Sequence, residues 1–234
     1  MLKNFFPNKI LSISNNTINS LLFLTIVVLF ISLIYALILS PPDYIQGDSV
    51  RIMYVHVPAS FVALGTFAFV GIASIFNIIF KIKFLPLMTK SVAPIGLVFS
   101  LISIVTGSLW GKPTWGIWWV WDARLTSMLL LLLFYVAYIF SWKLIKNFNK
   151  ANKISCYIGI VGLFNLPVIK YSVTWWNTLH QPSSITLSSA PTIHFSMLIP
   201  LVLMLIGVIL YSLLIFLINY KTEIMKIKIE KKKK

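Results

Sequence analysis

Residues 21–39 read LLFLTIVVLFISLIYALIL, nineteen positions without a charge, closed by Ser40, Pro41 and Pro42. About 20 apolar residues in a helix cross the roughly 30 Å hydrocarbon layer of a bilayer. This run therefore predicts a membrane-spanning helix. A signal-peptide core is shorter, about 7–15 residues, and leads into a small-residue cleavage site. The Pro-Pro ending is nothing of that kind, so an uncleaved first span is expected. Five more apolar runs follow, at about 53–80, 92–109, 125–145, 154–169 and 193–219. The fifth is the weakest, because Gly159, Gly162 and Pro167 interrupt it.

Composition agrees with the pattern. Of 234 residues 59% are apolar and 11% charged, with a mean hydropathy of +0.91. Soluble domains carry about a quarter of their residues as charges, so this chain has too few to cover a water-facing surface. The expected fold class is all-α, a polytopic membrane helix bundle with six transmembrane helices. Residues 1–234 are expected to form a single integral membrane domain. Cys156 is the only cysteine, which excludes an internal disulfide, a CxxC pair and a CxxCH haem attachment site. It reads as inert packing.

The net charge is +15, and its distribution argues for topology rather than for nucleic acid. Sixteen of the twenty Lys and Arg residues fall in four clusters: Lys3 and Lys9; Lys81, Lys83 and Lys90; Lys143, Lys146, Lys150 and Lys153; and Lys221, Lys226, Lys228 and the terminal Lys231–Lys234. Only Arg51, Lys112, Arg124 and Lys170 lie elsewhere. Basic residues mark cytoplasmic loops, so both termini are expected on the cytoplasmic side. The lysine tail reads as solvated near anionic membrane lipid, and no nucleic-acid partner is expected. The outer segments are then 41–52, 110–124 and 170–192.

The second outer segment continues into the fourth span as WGKPTWGIWWVWDARLT (residues 110–126) and holds five of the eight tryptophans. Tryptophan favours the headgroup zone, which accounts for one or two per loop but not five. At helical spacing Trp115, Trp118 or Trp119, and Asp122 share a face. A short helix lying on the outer membrane surface is expected from this, its flat rings suiting a large planar ligand with an apolar body and a charged rim. Asp122 and Arg124 either pair to fix the segment, or Arg124 holds a ligand carboxylate.

Three histidines complete the inventory. His56 lies at the outer end of span two, His180 in the third outer segment, and His194 at the start of span six. His194 reads as an interfacial histidine satisfied locally. His56 and His180 stand on the same side as the tryptophans, and two imidazoles beside such a platform suit haem iron, for which imidazole is a standard axial ligand. A zinc site would need three or four ligands, which the outer segments lack. There is no phosphate-binding glycine loop.

WGIWWVWDARLT (115–126) looks like the tryptophan-rich WWD signature of haem-handling membrane proteins, and the layout resembles the CcmC family of haem exporter proteins. The likeness extends to RIMYVHVPA (51–59) and YSVTWWNTLHQ (171–181). It implies that haem b is a transported ligand, with His56 and His180 as axial metal ligands and Trp115, Trp118, Trp119, Trp121 and Asp122 against the porphyrin. It also implies binding and transfer rather than catalysis, with delivery to the haem chaperone CcmE during cytochrome c maturation. The implied partners are the ABC-transporter subunits CcmA and CcmB and the small membrane protein CcmD. The implied place is the inner (plasma) membrane with the haem site on the periplasmic side; the mitochondrial inner membrane obeys the same charge rule. The larger CcmF and CcsA-type relatives carry more spans, which this chain does not have.

Two other functions compete on the sequence. A b-type haem membrane electron carrier generally keeps haem among its helices and a second haem nearer the other face, yet the cytoplasmic half has no histidine. A solute transporter places polar groups near the midplane, where the six runs have no charge.

Overall fold

A computed structural model of the chain describes residues 10–180 and 192–232. Lys3, Lys9, Gln181, Lys233 and Lys234, which entered the topology and family readings, lie outside the described residues. The helices are α1 (Asn15–Ile34), α2 (Met53–Phe80), α3 (Leu85–Trp115), α4 (Ala123–Leu144), α5 (Phe148–Leu163), α6 (Asn165–Trp175) and α7 (Phe195–Lys232). A π-helical turn, Tyr35–Leu39, prolongs α1, and a 3-10 turn, Asp48–Ile52, leads into α2. Six stretches are long and apolar enough to cross a membrane, with α5 and α6 together making the fifth. The described residues contain no strand. The expected all-α, six-span bundle is the observed architecture.

The helices run past the apolar stretches. The third span was expected at 92–109, but α3 extends from Leu85 to Trp115. At 1.5 Å per residue it is well longer than a bilayer core, and its last turns carry Trp110, Gly111, Thr114 and Trp115 beyond the apolar run. The fifth span is two helices joined at Phe164. Pro167 has no N–H to give the Leu163 carbonyl, so the helix restarts, and proline is tolerated in the first turn of the new one.

Close packing uses small residues, as expected where lipid provides no hydrophobic drive between helices. Gly71 of α2 and Gly159 of α5 sit in one seam, where an added Cβ would come within 2.9 Å of Leu163 and 2.8 Å of Ser74 respectively. Tyr135 of α4 is wholly buried and occupies the hollow over Gly96 of α3. Its hydroxyl donates to the Ala63 carbonyl at 2.7 Å and meets the Thr66 hydroxyl at 2.6 Å. Phe67, Phe99, Leu131 and Tyr135 form the centre of the main core. Helix α1 buries only Thr25 and Ser32 and pairs with α7. Their hydroxyls bond back to the Leu21 and Val28 carbonyls, so no polar group is left open.

The two ends of the bundle differ in chemistry. At one, Lys221 Nζ donates to the Ile13 carbonyl, and Glu223 of α7 binds both Lys90 (2.6 Å) and Lys226 (2.8 Å). Both chain ends of the bundle thus lie together, on the side of the basic clusters. The other end gathers the loop after α1, the α3–α4 connection and the segment after α6.

That α3–α4 connection corrects one expectation. No surface helix forms from the tryptophan-rich segment. Helix α3 stops at Trp115 because Gly116 adopts a left-handed φ of 80° and its amide closes on the Lys112 carbonyl at 3.0 Å. Glycine takes that conformation without the Cβ penalty, which ends helices. Helix α4 then starts at Ala123, with Asp122 as its N-cap accepting from the Leu125 amide at 2.8 Å. Residues 117–122 form an irregular strap between the two.

Candidate functional site

Beneath this strap lies a cavity of about 340 Å³, within the usual range of about 300–1,000 Å³ for small-molecule sites. Helix α2 contributes His56, Ser60 and Leu64 at helical spacing. Facing it, α3 contributes Ser103, Gly107, Trp110, Gly111 and Thr114, again on one face. Arg124, Leu125 and Met128 of α4 close a third side, and His180 completes the ring. The walls are largely apolar, with a few convergent polar groups.

Each imidazole is oriented by a partner on another segment. His56 Nδ1 lies 3.1 Å from the Thr106 hydroxyl. Gly107 makes room for the ring, since a Cβ there would stand 2.9 Å from His56 Cε1. Trp110 meets the same ring edge-on, with centroids 5.8 Å apart. His180 Nδ1 lies 3.2 Å from the Asp122 carboxylate, and its ring stands edge-on to Trp115 at 4.7 Å. Burial, and then the Arg124 guanidinium, lower the His180 pKa below the ordinary histidine range, against an opposing pull from Asp122. The imidazole is therefore neutral at neutral pH, the state that ligates metal. The His56 ring also has the Ser103 carbonyl as a hydrogen-bond partner, and no partner of the His180 Nε2 is found among the described residues.

Asp122 does not bind Arg124, the first of the two arrangements left open by the sequence. Its two oxygens serve the Leu125 amide and His180. Arg124 lines the cavity half-buried, with no hydrogen bond or ion pair to its side chain among the described residues. Trp119 also lines the cavity, and its Nε1 hydrogen is buried without an acceptor among the described residues.

The tryptophans divide into two sets. Trp115 and Trp119 line the cavity; Trp118 and Trp121 do not, and their rings are 54% and 75% exposed. Lys112 lies over the Trp118 ring at 5.9 Å. His194 is exposed and turned to local work, its Nδ1 meeting the Ser196 hydroxyl at 2.8 Å in the first turn of α7. Sequence reasoning missed Gln46, Ser60, Ser103, Thr106 and Gly107. The signal was present: polar or small residues recur four apart at 56 and 60, and at 103 and 107, inside otherwise apolar runs.

Among the described residues no group of three or more His, Cys, Asp or Glu could hold a bare metal ion. Two imidazoles on one cavity are an incomplete set for such an ion, whereas a porphyrin supplies the other four donors itself. The family model for heme exporter protein C matches residues 2–234. The chain belongs to the heme exporter protein C family. It is 40% identical to "Heme exporter protein C" of Haemophilus influenzae over 87% of this chain and 83% of that one. The corresponding Bradyrhizobium diazoefficiens protein is 37% identical over 94% of this chain and 83% of its own length. A "putative cytochrome c biosynthesis ccmC-like mitochondrial protein" of Marchantia polymorpha is 40% identical over 90% and 87%. Membership thus spans bacterial and organellar relatives, and in all three the likeness covers most of both chains.

Proposed function

We propose that this chain binds haem in the cavity under the strap and hands it on for cytochrome c maturation. The observation that carries the reading is the convergence of His56 and His180 on one apolar cavity. Each Nδ1 is engaged by a group on another segment, so Nε2 is the atom this reading assigns to iron. The Arg124 guanidinium and the buried Trp119 N–H, neither with a partner among the described residues, suit the carboxylates on the porphyrin rim, because charge-assisted hydrogen bonds to carboxylates are the stronger kind. The Trp115 and Trp119 rings suit the porphyrin body. Haem here is cargo, and the chain's residues grip and release it without transforming it.

The basic end of the bundle faces the cytoplasm by the positive-inside rule, which puts the cavity on the periplasmic side of an inner membrane, or its mitochondrial equivalent. The receiver is the haem chaperone CcmE, and the chain works beside CcmA, CcmB and CcmD. These roles rest on the family resemblance and on the cavity opening at the end opposite the lysine clusters. The protein purified with haem should show the bands of a low-spin iron with two histidine ligands. His56→Ala and His180→Ala should each abolish them, and an unchanged spectrum in both variants would refute the ligand assignment.

A further inference from the structure

The two imidazoles are backed by acceptors of unequal strength. Thr106 has one hydroxyl hydrogen, and two carbonyls of its own helix are there to take it, Ile102 at 2.6 Å and Ser103 at 3.3 Å. What it offers His56 Nδ1 at 3.1 Å is therefore the lone pair of a neutral hydroxyl. His180 Nδ1 instead faces a carboxylate oxygen at 3.2 Å. That carboxylate is 5% exposed, and its second oxygen is held by the Leu125 amide. The distances are nearly equal, so the difference lies in charge. Hydrogen bonds to an ionised partner are roughly twice as strong as neutral ones. An imidazole that gives its N–H to a carboxylate is also a more basic metal ligand through its other nitrogen.

We propose that Asp122 makes His180 the firm axial ligand while Thr106 leaves His56 the yielding one, so that haem leaving this cavity breaks its bond to His56 first. The inference rests on the reading above, that iron sits between these two imidazoles. In the step, the Fe–Nε2 bond of His56 breaks, its electron pair stays on the imidazole, and iron keeps its oxidation state. The opened position takes a nitrogen donor from the receiving protein while His180 still holds the metal. Asp122 and Thr106 are positioning residues here, since each acts through a histidine.

The test uses the full-length protein, loaded with haem in detergent. His56→Gly should retain most of its haem through gel filtration, with the spectrum of a five-coordinate, high-spin iron. His180→Gly should lose several-fold more. Asp122→Asn keeps a good helix cap, because asparagine is as favoured as aspartate there, but it offers only a neutral acceptor. It should raise the reduction potential of the bound haem and speed haem loss several-fold, and Thr106→Val should shift both less. Equal retention in the two glycine variants overturns the proposal, as does greater loss from His56→Gly or an unmoved potential in Asp122→Asn. A wild-type low-spin spectrum in both glycine variants is a different failure, for it removes the ligand assignment itself and this inference with it.

Discussion

Gln46 Oε1 accepts the indole hydrogen of Trp110 at 2.8 Å, tying the loop after the first span to the wall of the cavity. The loop is itself fixed. Asp43 Oδ1 accepts from the Ile45 and Gln46 amides at 2.9 and 2.8 Å, and Gly47 takes the positive φ of 57° that closes the turn on Asp43. Arg51 satisfies the Ala36 and Leu37 carbonyls that the π-helical turn leaves free and pairs with Asp48 at 3.0 Å. Gln46 is thus a fixed strut, and the Trp110 ring it holds bears on His56.

Gln46→Leu should remove that strut. A net hydrogen bond is worth about 0.5–1.5 kcal/mol, so a small loss of thermal stability in detergent is expected, together with a several-fold weaker retention of haem. Gln46→Glu keeps an acceptor for the indole and should behave nearly as wild type. Equal defects in the two variants would show that the contact with Trp110 is not what matters.

Gly107→Ala tests the room left for His56. The new Cβ falls 2.9 Å from His56 Cε1, against a ring already bounded by Thr106 and Trp110. Overpacking of this kind costs about 1–3 kcal/mol. Haem affinity should fall about tenfold or more, since every 1.4 kcal/mol is a factor of ten. Gly96→Ala is the control: it crowds Tyr135 in the core instead, so stability should drop while the haem bands of the folded fraction stay in place.

What could be read from sequence divides by physics. The spans were legible because nothing but a helix satisfies its own backbone in lipid, so the run at 21–39 admits one reading. The histidines and the segment 110–126 were legible because ionisable and aromatic residues at the edge of an apolar layer stand out. The surface helix was misread because helical spacing at 115–122 says nothing of Gly116, whose left-handed φ breaks the periodicity. From Gly116 onward the helical periodicity is lost, and Trp118 and Trp121 are exposed and do not line the cavity. Thr106 was hidden for the opposite reason. A hydroxyl inside an apolar helix usually bonds back to its own turn, as this one does, and only the packing of α2 on α3 turns its lone pair toward His56.

Arg124→Gln separates rim recognition from iron ligation. If the guanidinium holds a porphyrin carboxylate, its loss should cost about 1.5–3 kcal/mol, the worth of a hydrogen bond to a charged group. Haem affinity should then fall roughly ten- to a hundredfold, with the axial-ligand bands unchanged in position. Haem dimethyl ester carries no rim charge, so wild type and Arg124→Gln should bind it equally in a titration followed at the Soret band. A persistent difference with the ester would assign Arg124 to packing.

The division among the tryptophans yields a paired comparison. Trp115 and Trp119 line the cavity, whereas Trp118 and Trp121 are largely exposed on the strap. Both lining rings are partly buried, so truncation to alanine would disturb packing as well as any grip on haem. Trp115→Phe and Trp119→Phe are the milder probes. Phe at 119 keeps an aromatic ring but deletes a buried N–H that has no acceptor among the described residues, so it should weaken haem retention while leaving the fold intact. Trp118→Ala and Trp121→Ala should leave haem content and spectrum at wild-type values. Their exposed rings then serve the membrane interface or the receiver proposed above, which a reconstituted haem-transfer assay reads separately. Loss of bound haem from Trp118→Ala or Trp121→Ala, measured as haem per purified protein, would mean that the strap folds inward when the cavity is filled.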